Sequence, residues 1–284
     1  MIREKCKLSK TTHVVVVLLF VLYALSIVCP FVWTFLMSLK GQLEYVQHPA
    51  ALPEKWLFSN YIRAFTELDI NGVKMFEMIG NSLWFSIGVS LINIFFCVCY
   101  SYALAKYKFP GKRVLEICSY IMVILPIVGS LPSTYKIYSA LGLLNSRWYI
   151  IAGIGGCMGY NSFIYKAAFN GMDNAYMEAA FIDGAGHFKI FFQVMLPQIL
   201  SPVMALFIMA FIANWNDYMG PFLFYESMPT LMSGLYIYQS RMGRASNVPV
   251  MYAGIILSLL PVLLLFFIFQ DKMMNLSLGG GIKG

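Results

Sequence analysis

EAAFIDGAGHFKIFFQVMLP, running from Glu178 to Pro197, carries Glu178, Asp183, His187 and Lys189 in a chain otherwise short of charge. Long apolar runs lie on either side, Trp148–Tyr165 before it and Gln198–Tyr225 after it. A polar segment between runs of that length reads as a loop at a membrane edge rather than as the surface of a soluble domain. Composition points the same way. Of 284 residues 60% are apolar and 12% charged, and the mean hydropathy of +0.71 excludes an ordinary soluble fold.

Working outward, six runs are long enough to cross a hydrocarbon core of about 30 Å, which takes roughly 20 helical residues. They are His13–Met37, Ser82–Ala105, Ile117–Tyr135, Trp148–Tyr165, Gln198–Tyr225 and Pro249–Phe269. Barrel strands would show about ten alternating residues each instead. The expectation is therefore an all-α integral membrane protein with six transmembrane helices. The first run follows Arg3, Lys5, Lys7 and Lys10, as a secretory signal would, but it is too long and lacks a small-residue cleavage site. It reads as an uncleaved first helix, and Cys6, which precedes it, is not a lipoprotein cysteine.

Basic residues beside short loops set the orientation. With the N-terminus inside, Arg3–Lys10, Lys106, Lys108, Lys112, Arg113, Lys189, Lys272 and Lys283 face the cytoplasm. Lys40, Lys55, Arg63, Lys74, Arg241 and Arg244 are diluted over longer external loops that also carry acids. Both termini are expected in the cytoplasm, with a cytoplasmic segment 1–12, a transmembrane domain 13–270 and a cytoplasmic tail 271–284. Within that membrane domain, 38–81 and 226–248 read as external loops and 171–197 as a cytoplasmic one. Orientation accounts for the net charge of +7 without nucleic acid. Pro49, Pro53 and Trp56 give the first external loop some structure of its own, such as a short interfacial helix. Pro126, Gly129 and Pro132 interrupt the third run, either to line a cavity or as a kink absorbed by packing. The six cysteines, mostly inside apolar runs, and His13, His48 and His187 show no ligand spacing, so no metal site and no disulfide framework is expected.

The loop itself has local logic. Asp173 or Asn174 is a good N-cap for AYMEAAFID, and Gly184 suits the C′ position. That makes about nine residues, roughly 13 Å of helix. Gly184 and Gly186 then allow a bend into HFKIFFQVM, expected to stop at Leu196–Pro197. A bent amphipathic element of this kind either docks in a cleft of another protein or rests on lipid headgroups.

Glu178-Ala179-Ala180, then Gly184, then Val194-x-Leu196-Pro197 resembles the EAA signature of ABC-importer permease subunits, EAA-x3-G-x9-I-x-LP, with Val194 in place of isoleucine. Asn214-Trp215-Asn216-Asp217 is similar to the WND element of maltose/arabinose-type sugar permeases, and the closing Gly279-Gly280-Gly281-Ile282-Lys283-Gly284 is similar to their glycine-rich tail. The resemblance implies a type I ABC-importer permease fold in the bacterial inner membrane. It implies that Glu178, Ala179, Ala180, Asp183, Gly184, Leu196 and Pro197 couple the chain to its ATPase, with Glu178 near a basic residue of that partner. It also implies a second permease subunit as heterodimer partner, two cytoplasmic ATP-binding subunits, an extracellular substrate-binding protein and a sugar or oligosaccharide as substrate. No G-x4-GK-[ST] phosphate loop is present, so the chain is expected to be no enzyme and to need no cofactor of its own.

Candidates for a translocation path follow from polar residues inside apolar runs. Ser86, Ser90 and Asn93 share a helix face, with Asn93 about 15 Å deep. They read either as a water-facing stripe or as interhelical hydrogen bonding. Asp217, about 28 Å along its run, sits at the external boundary as a gate or a contact to the delivering protein. Asn214, Asn216, Tyr160 and Asn161 are further candidates, and Gly155 with Gly159 reads as a close helix contact. The loop 226–248, with Tyr236, Tyr238, Gln239, Arg241 and Arg244, suits a sugar, a protein partner or plain solvation. An importer for a non-sugar solute such as a polyol phosphate is the alternative, and an ion-coupled secondary transporter a more distant one, lacking intramembrane charges beyond Asp217. A membrane-embedded enzyme would need paired carboxylates or a nucleophile with a base, and neither is apparent.

Overall fold

The computed structural model describes residues 10–125, 129–241 and 247–279. The basic cluster Arg3–Lys7 with Cys6, the residue Pro126, Arg244 and the tail 280–284 lie outside them. The chain divides into two compact units, residues 1–68 with 241–257, and residues 69–240 with 258–284.

In the first unit, α1 (Lys10–Ser38) exposes apolar side chains all along its length, from Val14 to Phe35. A helix apolar on every side is at home in lipid. Past its end come α2 (Gln42–Gln47) and α3 (Ser59–Glu67), so the segment after the first run does have structure of its own. Asn60, buried on α3, donates from Nδ2 to the carbonyls of Ser38 (2.8 Å) and Lys40 (2.9 Å). Those carbonyls belong to the end of α1 and the residues just past it, where a helix leaves acceptors without partners. The opening turns of a long helix, Val248–Gly279, belong here too, where Val248 N donates to Gln42 Oε1 at 2.8 Å.

The second unit starts with a hairpin, β1 (Asp69–Ile70) and β2 (Val73–Lys74), paired antiparallel. Its turn residues Asn71 and Gly72 have φ of 55° and 87°, the two positive values a type I′ turn requires. The hairpin runs straight into α4 (Met75–Lys106), which therefore begins seven residues before the apolar run at Ser82. At 1.5 Å per residue its 32 residues span about 48 Å, more than the hydrocarbon layer, so its ends project.

Several elements of this unit pack on α4. Its buried positions Phe85, Ser86, Ser90, Ile94, Cys97, Val98, Ser101 and Tyr102 recur at helical spacing and make one continuous face. Against it lie a 3₁₀ stretch, Arg147–Gly156, and the helices α7 (Tyr160–Asn170) and α11 (Leu200–Asn216). Between α4 and these come α5 (Lys112–Ile124) and α6 (Leu131–Ala140); after α7 come α8 (Ala175–Ile182), α9 (His187–Lys189), a π turn (Ile190–Met195) and α10 (Leu196–Gln198). The chain then passes through α11 to α12 (Met219–Phe224), α13 (Leu231–Ser240) and α14 (Val248–Gly279).

Among the described residues three helices are long and apolar enough to cross a membrane, Thr12–Ser38, Met75–Lys106 and Val248–Gln270. The pair His187–Gln198 and Leu200–Asn216, bent by 78°, makes a fourth if counted as one span. The remaining runs are built from shorter pieces. The third is α5 and α6, with Gly129 at φ 79° and Pro132 in the first turn of α6, where its missing N–H costs nothing. The fourth is the 3₁₀ stretch and α7, not one helix. The fifth breaks at Asp217, which caps α11 with ψ 112°, before α12 resumes.

The expected close contact of Gly155 and Gly159 is made elsewhere. A Cβ on Gly155 would meet nothing within 4 Å. The tight approaches are Gly153, whose Cβ would lie 2.5 Å from the Val89 carbonyl oxygen, and Gly156, whose Cβ would overlap Asn93 Nδ2. A 3₁₀ stretch has 3.0 residues per turn, so glycines three apart share its face toward α4, whereas a spacing of four drifts off it.

Candidate functional site

Residues 171–198 sit at the C-terminal end of α4. Asp173 Oδ1 accepts from Ala175 N at 3.0 Å, satisfying a first-turn donor of α8. At the other end the Gly184 amide donates to Phe181 O and the Ala185 amide to Ala180 O, both at 3.0 Å, with Gly184 at φ 75°. This is a Schellman closure, and it uses glycine for the left-handed conformation that other residues adopt at a cost. Asp183 is the C-cap. The helix has eight residues, one fewer than expected, since Asp183 has left helical geometry.

Past Gly186 the second arm does not stop at Leu196–Pro197. Helical turns continue from His187 through the π turn to Gln198, and the bend comes at Ile199. Pro197 lies in the first turn of α10, and Gln198 Nε2 donates to Val194 O at 2.9 Å, serving a carbonyl near the break. The inner side of this arm, Ile190, Phe191 and Met195, is buried with Ile94, Cys97, Tyr102, Tyr165 and Phe169. The outer side is bare: Ile182 is 86% and Phe188 83% exposed, and Glu178, Ala179, Asp183 and Gly184 are also exposed. Ala180 and Leu196 are half-buried against the core, and Pro197 is exposed.

Several residues not foreseen from sequence hold the loop in place. Lys106 Nζ donates to Met172 O and Asn174 Oδ1, both at 2.8 Å. Tyr107 OH and His187 Nδ1 share a hydrogen bond of 2.8 Å, and Tyr102 packs its ring on Tyr107, Phe169 and Phe191 with centroids 4.8–5.5 Å apart. From sequence Lys106 is only an orientation signal and His187 only a histidine without ligand spacing. Their pairing across the loop depends on the fold.

The polar residues of the membrane runs are engaged between helices. Asn93 lies mid-way along α4 and donates from Nδ2 to Gly153 O at 2.9 Å. Asn214 Nδ2 donates to Ser90 Oγ at 3.0 Å, joining α11 to α4. Ser86 is fully buried, and its hydroxyl has no partner among the described residues. Asn216 is exposed and returns its Nδ2 to Ile212 O at 2.8 Å, while Asp217 Oδ1 accepts from Gly220 N at 3.0 Å. Tyr160 is exposed at the first residue of α7, with Asn161 half-buried beside it. Ser90 and Asn214 are thus brought together, whereas Tyr160 and Asn161 belong to another helix start.

The model of the family described as binding-protein-dependent transport system inner membrane component matches residues 98–273. A diacetylchitobiose uptake system permease protein of Streptomyces coelicolor is 27% identical over 89% of this chain and 83% of its own length. An arabinooligosaccharides transport system permease protein of Halalkalibacterium halodurans is 27% identical over 93% and 94%. Among solved structures, a bacterial ABC transporter involved in the import of the acidic polysaccharide alginate has a chain that superposes with a TM-score of 0.78. That chain shares 22% identity, over 93% of this chain and 98% of its own.

Proposed function

This chain belongs to the binding-protein-dependent transport system inner membrane components, and from that membership we propose that it forms part of an import path for a sugar or oligosaccharide. It is a multi-pass permease subunit of an ABC importer in the bacterial plasma membrane, working with a partner permease, ATPases and a binding protein. ATP is used by those ATPases and not by this chain. The sugar assignment is supported by the relatives named for diacetylchitobiose and arabinooligosaccharides.

The permease domain 13–270 crosses the membrane six times, with both termini and the loop 171–197 in the cytoplasm and the loops 38–81 and 226–248 outside. The partner permease is a different chain, and two ATPase subunits sit beneath the pair. The observation that carries the mechanism is the loop of α8 and its Schellman turn. It is stiffened by its own hydrogen bonds, anchored through Lys106 and the Tyr102 cluster, and bare on its outer side. A stiff, anchored element can transmit a push from a closing ATPase dimer into α7 and α11; a slack one would absorb it. Glu178 pairs in this proposal with a basic residue of the ATPase, which its exposure in the first turn of α8 supports.

The test is Glu178→Lys in the assembled importer in proteoliposomes. Membrane insertion and complex assembly are expected to persist, while substrate-stimulated ATP hydrolysis and uptake of labelled sugar fall to background. Normal coupling in this variant would refute the docking role of the loop.

A further inference from the structure

At the end of α4 opposite the loop lies a cavity of about 570 Å3 within the second unit, lined by Glu77, Gly80, Asn81, Trp84, Arg147 and Ser227 among others. Its size falls within the range of small-molecule sites, about 300–1,000 Å3. Four of these residues, at positions 77, 80, 81 and 84, stand at i, i+3, i+4 and i+7 on the first turns of α4 and so make one wall. The other walls are tied to it or to each other. Trp84 Nε1 donates to Arg147 O (3.2 Å), Asn81 Nδ2 to Pro229 O (3.1 Å) and Ser227 N to Asn145 Oδ1 (3.0 Å). The cavity is therefore built, not a gap between mobile parts.

Three features of the lining point to a ligand. The Trp84 indole lines the cavity, held by its N–H yet half exposed. Glu77 and Arg147 carry opposite charges in one cavity without forming an ion pair, and neither side chain has a hydrogen bond among the described residues. Gly80 sits inside a helix, where glycine is about 1 kcal/mol worse than alanine, although a Cβ there would meet nothing within 4 Å. Neither turn geometry nor packing asks for glycine at that position, and a side chain bulkier than alanine there would stand on the wall of the cavity.

We propose that this cavity is a carbohydrate subsite of the importer, one that takes a neutral oligosaccharide. It rests on the sugar reading above. An aromatic face, negative at its centre, receives the C–H side of a pyranose ring, whose hydrogens are the positive edge. The hydroxyls around the same ring donate to the Glu77 carboxylate and accept from the Arg147 guanidinium, so a neutral polyol satisfies both charges at once. An anionic sugar would leave Glu77 repelled, and a cationic one Arg147. In the orientation given above, the site opens at the external end, where a sugar released by the binding protein first meets this subunit.

The experiment uses the complete importer in proteoliposomes with its binding protein, and three probes: diacetylchitobiose, maltotriose and arabinotriose. Sugar uptake, ATP hydrolysis and the affinity of the binding protein for the importer are measured together. Wild-type uptake of at least one probe is expected. Trp84→Ala and Gly80→Leu should lower sugar moved per ATP about ten-fold, and Trp84→Phe and Gly80→Ala should stay within about two-fold, because the first pair removes the ring or fills the space and the second does neither. Wild-type ratios in all four variants overturn the subsite while leaving the sugar reading intact. Equal loss in Trp84→Phe and Trp84→Ala overturns it in favour of the indole N–H as a structural tie. Loss that tracks weakened affinity for the binding protein overturns it in favour of a protein contact. If wild type takes up none of the probes, the sugar reading itself fails and the subsite with it.

Discussion

Replacing Gly184 tests the stiffness of the loop with little else disturbed. Gly184 has φ 75°, and a Cβ there would meet nothing within 4 Å, so a substitution acts through backbone preference and not through a clash. An L-residue pays about 1–2 kcal/mol for the left-handed conformation, asparagine less than alanine and a β-branched residue most. A penalty of about 1 kcal/mol for Gly184→Ala corresponds to roughly a five-fold shift from the closed turn to frayed forms, since 1.4 kcal/mol is ten-fold. Gly184→Pro is worse in kind. Its ring holds φ near −65°, and it has no N–H to give to the Phe181 carbonyl, so the closure cannot form. The assay pairs hydrogen exchange over residues 180–185 with substrate-stimulated ATP hydrolysis of the reconstituted importer. Exchange at the Ala185 amide should quicken about five-fold in Gly184→Ala, on the same 1 kcal/mol. Coupling should fall in the order Gly, Asn, Ala, Val, Pro. A valine variant that couples better than the asparagine variant, or an alanine variant with unchanged exchange, would refute the assignment of the turn as the stiffening element.

Lys106→Met removes the hydrogen bonds to Met172 O and Asn174 Oδ1 and leaves α8 attached through the packing of Met177 and Ala180 and the Tyr102 hydroxyl on Met177 Sδ. Charge-assisted bonds contribute about 1.5–3 kcal/mol, so uptake should drop while the helices of the bundle stay folded, read by exchange confined to 171–186. Gly153→Ala drives a Cβ to 2.5 Å from a backbone carbonyl and should lower the melting temperature of the purified importer, at a cost of about 1–3 kcal/mol. Gly155→Ala, with open space around it, should leave the melting temperature unchanged. The Lys166 ammonium, 2.8 Å from Glu116, holds that carboxyl below the usual glutamate range. The pair's contribution to stability is then full above the unfolded value of about 4.3 and lost as pH falls through the lower folded value. An acid melting curve of Glu116→Gln should be flatter than wild type there.

The bilayer-spanning character of the chain was plain in its runs because lipid imposes composition residue by residue, as α1 and α14 show. The turn at Gly184 was plain for a similar reason: a C′ glycine is a local demand of one helix end. Where the reading missed, a non-local partner decided. Val89 and Asn93 on α4 determine that Gly153 and Gly156, not Gly155 and Gly159, are the close approaches to that helix. The 3₁₀ winding of Arg147–Gly156 and the π turn at Ile190–Met195 have no signature in hydropathy, since an apolar run reads alike in any helical pitch.

Sequence alone determined that this chain lives in a membrane and carries one charged, glycine-closed loop, because solvent preference and backbone conformation are properties of single residues and near neighbours. Only the tertiary structure decided what holds that loop, and which polar groups of the membrane runs meet. Lys106 reaches Asn174 across 68 positions of chain and Asn214 reaches Ser90 across 124, and contacts at such separations depend on how helices pack.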